Sequence, residues 1–316
     1  MRAAPKRRET KLSMRQMLPS YCICCVKPHQ WRESKMAFMT AHTSTYTPQA
    51  LASHRWAELN TRDFASLDHA HTVAVLPLGA TEQHGPHLPL SVDTVLVDGV
   101  VNAALTHLSA TDPVLVLPTQ TVGLSTEHTA FAGTLHLSPQ TLIQVWCDIG
   151  ASVARTGVKK LLMFNAHGGN VGLMDVVARE LRAQHGLIVY SSSWYNLPLD
   201  ASVMGQFTAD EHRFGIHAGD IETSMMLALS PDQVNMAEAK NFVSTSQDRA
   251  AHYAVLGNGK SAKLGWHIQD YNPQGAAGNA AAATAAKGEA LVNSAGEQLA
   301  LLLKELVALP LSTVRI

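Results

Sequence analysis

The stretch "TVAVLPLGATEQHGPHLPLSVDT", residues 72–94, joins an apolar, β-branched run to a dense set of ionisable side chains. Residues 72–79 have the composition of a strand buried on both faces. Glu82, His84, His87 and Asp93 then follow within twelve residues. A core strand cannot hold such groups without partners, and a plain surface loop has no need of them. The reading that fits is a buried strand running straight into a loop built for chemistry.

The pattern repeats outward from there. "DTVLVDGVVNAALTHL" (93–108) places Val97, Val101, Ala104, Leu105 and Leu108 at helical spacing. "PVLVLPT" (113–119) reads as a second strand. "SPQTLIQVWCDIGASVARTG" (138–157) opens with Ser as N-cap and Pro at the first helical position. Its Leu142, Trp146, Ile149 and Val153 form one face, and Gly157 stops it. "KKLLMFNAHGG" (159–169) is a third strand entering a loop, with Asn170 expected to cap the helix that follows. "LIVYSSSW" (187–194) is a fourth strand, and "GDIETSMMLALSP" (219–231) a helix closed by Pro231. From about 280 to 308, Leu291, Ala295, Leu299, Leu302 and Leu306 share one side. Such alternation predicts an α/β fold, a three-layer sandwich whose mostly parallel central sheet carries helices on both faces. Sites in such folds lie beyond the carboxyl ends of the strands.

Composition bounds the rest. With 46% hydrophobic and 16% charged residues among 316, the chain can bury a sizeable core, and residues 50–310 are expected to form one domain. A formal net charge of −1 gives no global electrostatic case for nucleic acid or an anionic membrane. No apolar run reaches the roughly 18 residues of a membrane span. Residues 1–45 are basic and aperiodic, and are read as a disordered extension or as sequence upstream of a start at Met36 or Met39. Cys22, Cys24, Cys25 and Cys147 lack the paired spacing of a zinc ribbon. Free thiols in a cytoplasmic protein are the expectation.

Glu82 and His84, one residue apart, face the same side of an extended segment. Asp93 stands at the foot of the next helix. His167 lies in "NAHGGN", where glycines let the backbone pass close to a ligand. Glu222 comes one turn after His217. Mixed carboxylate and imidazole donors suit Zn²⁺, Mn²⁺ or Fe²⁺. Five such ligands with one shared carboxylate can hold two ions about 3.5–4 Å apart. Each residue alone has an ordinary reading: Asp93 as an N-cap, Glu222 as a first-turn acid, each His as a hydrogen-bonded loop residue. Together they fall on the face where sites form.

"GATEQHGPHLPLSVDT" (79–94), "GLSTEHTAFAGTL" (123–135), "FNAHGGN" (164–170), "HAGDIETS" (217–224) and "NPQGAAGNAAAATAAKG" (272–288) resemble the successive motifs of the creatininase (creatinine amidohydrolase) family, over roughly residues 50–305. The resemblance implies an amidohydrolase with two divalent ions per chain, Zn with Mn or Fe, often a homohexamer. It makes Glu82, His84, Asp93 and His167 ligands, with Asp93 bridging. Creatininase has a His-Tyr-Glu tract whose Glu is the last ligand; here the tract is His167-Gly168-Gly169, and Glu222 is the candidate replacement. Members with the His-Gly-Gly-Asn form include formamidopyrimidine deformylases and the peptidase that trims the mycofactocin precursor.

The expected reaction is attack of a metal-bridging hydroxide on an amide carbonyl, with His217 giving the leaving nitrogen its proton. Glu127 and His128 are expected to line the pocket for a small-molecule amide, and His87 to orient Glu82. Trp194, Tyr195, Phe207 and Phe214 can stack a ring, line a peptide groove or belong to the core. A P-loop reading of "LGNGKS" (256–261) fails because Ala254 stands where the motif needs Gly. A metal held only for structure or assembly is the non-enzymatic alternative.

Overall fold

The computed structural model describes residues 50–315. The expectations for residues 1–45, with Cys22, Cys24 and Cys25, lie outside the described residues; Cys147 is a half-buried free thiol.

Four parallel strands form the central sheet: β1 (Val73–Leu78), β2 (Val114–Val116), β3 (Lys160–Asn165) and β4 (Ile188–Ser193), in the order β2-β1-β3-β4. Val73 pairs with Val114 on one side and with Lys160 on the other. The chain therefore winds from β1 to β2, returns past β1, and continues through β3 to β4. The winding direction reverses between β1 and β3, which opens a crevice beyond their carboxyl ends. The loops carrying Glu82 and His167 both leave from that crevice.

The side-chain period of two splits each inner strand between two cores. Val73 and Val75 of β1, with Leu162 and Phe164 of β3, pack against helices α1 (Val92–Leu105), α4 (Asp220–Leu229) and α5 (Ala285–Ala308). Ala74, Leu76 and Leu78, with Leu161 and Met163, pack against α2 (Pro139–Arg155) and α3 (Val171–His185). The three layers are those expected. Ser138 caps α2 by accepting from Thr141 N, as its sequence predicts. Asn170 does not cap α3 with its side chain. That amide is committed elsewhere, to holding the site loops.

The Ala/Gly content of α5 has a packing reason. A Cβ at Gly288 would lie 1.8 Å from the carbonyl oxygen of Ser224 on α4. Lys287, beside it, pairs with Asp220 at 2.6 Å in the first turn of α4. α5 thus holds α4, and α4 carries Glu222. Replacing Gly288 by Ala should destabilise the fold by about 1–3 kcal/mol, because backbone rather than a flexible side chain must yield. The control is Gly172→Ala in α3, where a Cβ meets nothing within 4 Å. Thermal unfolding of the two variants should show a fall for the first and none for the second; equal midpoints would refute the packing account.

Candidate metal centre

The crevice gathers every ligand expected from the sequence. Glu82 and His84 are fully buried, and Asp93, His167 and His217 nearly so. Asp93 sits inside the first turn of α1, after the N-cap position held by Ser91, so its carboxylate is free for the site. His167 is fixed by Asn165, whose Oδ1 accepts from His167 N at 3.1 Å and whose Nδ2 donates to His167 O at 2.7 Å. Asn170 Nδ2 donates to Asn165 Oδ1 and to Gly79 O, and its Oδ1 accepts from Leu124 N. One buried amide therefore ties the ends of β1 and β3 to the 123–128 loop. Ala218 adopts φ 55°, in the left-handed region that a non-glycine residue rarely occupies. Its N–H donates to Glu222 Oε2 at 2.6 Å, which fixes that carboxylate.

Three histidines share one arrangement. His84 Nδ1 donates to Glu82 O, His167 Nε2 to Leu124 O and His217 Nε2 to Gln83 O, at 3.0, 2.8 and 2.8 Å. Each main-chain carbonyl selects a tautomer and turns the opposite ring nitrogen toward the carboxylates. His84 Nε2 faces Asp93 Oδ1 at 3.8 Å, His167 Nδ1 faces Asp93 Oδ2 at 3.5 Å, and His217 Nδ1 faces Glu82 Oε1 at 4.0 Å.

Both Glu82 oxygens, His84 Nε2 and Asp93 Oδ2 are buried without a hydrogen-bond partner. His128 and His167 approach Glu82 to 3.2 and 3.3 Å, but without hydrogen-bond alignment. Orphaned carboxylate oxygens at this depth fit a cation. The donors fall into two groups that share Asp93: Glu82, Asp93 and His167; and His84, Asp93 and Glu222. Within each group the donor atoms lie within 4.8 Å of one another. Glu82, His84 and His217 form a third.

Burial disfavours charge on all these groups. It pushes the Glu222 carboxyl up to about 7. It would raise Glu82 too, but His167, His128 and His84 hold that carboxyl well below the usual range. It would lower His84, but Asp93, with Glu222 and Glu82, lifts that imidazole to about 9. His167 rises to about 10 against the same burial, through Glu82 and Asp93. Burial keeps His128 down at about 3 and His217 well below the ordinary value. The site thus collects positive charge between its carboxylates.

Glu127 and His128 both line the cavity of about 470 Å³ that opens onto these ligands. Glu127 Oε1 lies 3.8 Å from His167 Nε2. His87 departs from expectation: its Nε2 bonds Thr223 Oγ1 at 2.9 Å and its ring stacks on Phe242, so it supports the Glu222 helix rather than Glu82. Trp194 and Tyr195 line the cavity, whereas Phe207 is core. Sequence reasoning missed Gln83, whose Nε2 reaches His128 Nδ1 at 2.7 Å and His217 Nε2 at 3.3 Å. It also missed Trp266 and the buried Glu211, whose Oε2 accepts from Asn279 N at 2.9 Å. A carboxylate beside three glycines, Gly215, Gly219 and Gly278, was the available signal.

The creatininase (creatinine amidohydrolase) family model matches residues 57–303. A mycofactocin precursor peptide peptidase of Mycobacterium ulcerans is 35% identical over 182 residues, 56% of this chain and 66% of its own length. The creatinine amidohydrolase of Pseudomonas putida is 33% identical over 177 residues, 52% of this chain and 66% of its own. The chain thus spans just under two thirds of the length of these curated relatives. Three solved creatininase structures match with TM-score 0.64 and 26% identity over 80% of this chain and 98% of theirs: a tryptophan-to-phenylalanine mutant, a Mn form, and a glutamate-to-glutamine mutant of Zn-Zn type.

Two outcomes are expected here. At about pH 7.5, below the raised values of His84 and His167, both imidazoles carry protons that a metal must displace. Titration of Zn²⁺ in buffers of different ionisation heat should report proton release, with affinity rising as pH rises; buffer-independent heats would contradict this. A Cβ at Gly169 would lie 2.1 Å from Leu124 O and 2.5 Å from His167 Nε2. Gly169→Ala should therefore lower metal occupancy in the purified protein, and full occupancy would show that this close approach is not needed.

Proposed function

The chain belongs to the creatininase family, and on that premise we propose that it is a cytoplasmic, metal-dependent amidohydrolase that cleaves a non-peptide or cyclic C–N amide bond of a small molecule. Glu82, His84, Asp93, His167 and Glu222 would hold two divalent ions, Zn with Mn or Fe. The observation that carries this reading is the set of buried Glu82 and Asp93 oxygens that no hydrogen bond satisfies, within candidate donor groups that overlap at Glu82, His84 and Asp93. Such ions, when bound, polarise a carbonyl oxygen and raise the nucleophilicity of water near neutral pH.

The chain's own residues supply the rest. His217 Nε2 donates to Gln83 O, which locks the ring and leaves Nδ1 facing the cavity. Burial keeps this imidazole neutral at rest, so Nδ1 can take the proton that the attacking water loses and pass it to the leaving nitrogen. Glu127, His128, Trp194, Tyr195 and Trp266 line the cavity, and flat rings there suit a planar amide. Among the described residues no helix is long and apolar enough to cross a membrane. The proposal includes a homo-oligomer, of the hexameric kind the family implies. The alternative within the same chemistry is removal of a formyl group or peptide cleavage; identity to the mycobacterial peptidase favours the latter.

Asp93→Ala should abolish metal binding and hydrolysis together; retention of both ions would remove the shared role. His217→Ala should keep the metals and lose at least about a hundredfold in turnover. Loss of metal in that variant would make His217 a ligand, in keeping with its group with Glu82 and His84. The compounds assayed are creatinine, N-formyl compounds, cyclic amides and short peptides, with metal content measured on the same preparations.

A further inference from the structure

A second cavity, of about 840 Å³, adjoins the metal cavity. His212 and Trp266 line both, so the two share a wall. Their charges are opposed. The metal cavity is lined by Glu82, Asp93, Glu127, Glu211 and Glu222, and by no lysine or arginine. The second is lined by Arg213, Arg249, Lys260 and Lys263, and by no carboxylate.

These four cations are uncompensated. Among the described residues none takes part in an ion pair with an acid. The Arg249 guanidinium lies over the Tyr271 ring at 4.9 Å, and its Nη1 donates to Thr245 Oγ1 at 3.1 Å. A side-chain hydrogen bond to Tyr271 adds to this hold. Arg213 Nη2 reaches Gly257 O at 3.5 Å, tying the 256–263 loop to the short helix Ala209–Phe214. Asn258 Oδ1 accepts from Lys260 N and Ser261 N, which shapes the "GNGKS" turn. The segment that fails as a P-loop is thus the basic rim of a groove beside the site.

We propose that this groove is an anion subsite: the substrate carries a carboxylate or phosphate away from its scissile amide, and Arg213, Arg249, Lys260 and Lys263 hold that group. The inference rests on the amidohydrolase reading for the position of the amide. The acidic metal cavity repels a second anionic end, and a groove lined by four cations and no carboxylate attracts one. Trp266 stands between the two.

The test uses the metal-loaded protein and a combined Arg213→Gln, Lys260→Gln, Lys263→Gln variant, all three residues being exposed. The probes are N-formylethanolamine, its O-phosphate and N-formyl-β-alanine. Wild type should hydrolyse one anionic probe with kcat/KM at least about tenfold above the neutral one, and which one identifies phosphate or carboxylate. The variant should erase that preference through KM, with kcat and the neutral probe unchanged. Inorganic phosphate and acetate, titrated by calorimetry, give a readout free of turnover: the preferred anion should bind the variant at least about tenfold more weakly. Equal kcat/KM across the probes, or anion binding unaltered in the variant, would overturn the subsite. A wild type that binds neither anion, with the variant changed in oligomeric state, would instead make the groove a contact between copies. Absence of all hydrolysis alongside variant-sensitive anion binding would count against the amidohydrolase reading and leave the subsite standing.

Discussion

Two buried carboxylates, Glu82 and Asp93, and the half-buried Glu222 converge with two buried imidazoles at the floor of the cavity. Like charges at such separation in a low-dielectric interior repel by several kcal/mol, and each also loses its hydration. The arrangement persists only if positive charge sits among them. Protons on His84 and His167 meet that need in part, and Glu222 is pushed up to about 7 by its burial. On the proposed reading, a pair of divalent cations would meet it fully, because the orphaned oxygens and ring nitrogens would then gain a partner in the directions they already face.

The rest of the molecule serves that convergence. The reversal of strand order places the β1 and β3 loops side by side. Asn165 and Asn170 lock those loops together through their side-chain amides. Ala218 accepts an uncommon backbone conformation and so brings His217 and Glu222 to one cavity. Glu211 accepts from Ile221 N and Asn279 N, beneath glycines whose missing Cβ atoms leave room for it. It anchors the start of the helix on which Glu222 rides. Main-chain carbonyls, not acidic partners, orient the three histidines, so the carboxylates stay available to a metal.

The layers of the fold were legible because each inner strand is a short β-branched run, and α2 announces both its ends with Ser138, Pro139 and Gly157. The candidate ligands were legible as a set: Glu82, His84, Asp93 and His167 each have an ordinary local reading, but all fall beyond the carboxyl ends of the strands. Residues whose meaning depends on distant packing were not. Gln83 acts through His217, which is 134 positions away, and Asn170 through Gly79, 91 positions away. Local rules gave Asn170 to a helix cap and His87 to Glu82. In the fold a buried carbonyl claims the first and Thr223 the second.

The central claim is that Asp93 is shared between two metal ions. The most direct measurement is anomalous X-ray scattering from crystals of metal-loaded protein, collected at the Zn and Mn edges. The account predicts two peaks about 3.5–4 Å apart, one beside Glu82 and His167, the other beside His84 and Glu222, with Asp93 touching both. A single peak at full metal saturation, or a second peak that Asp93 does not touch, would contradict it.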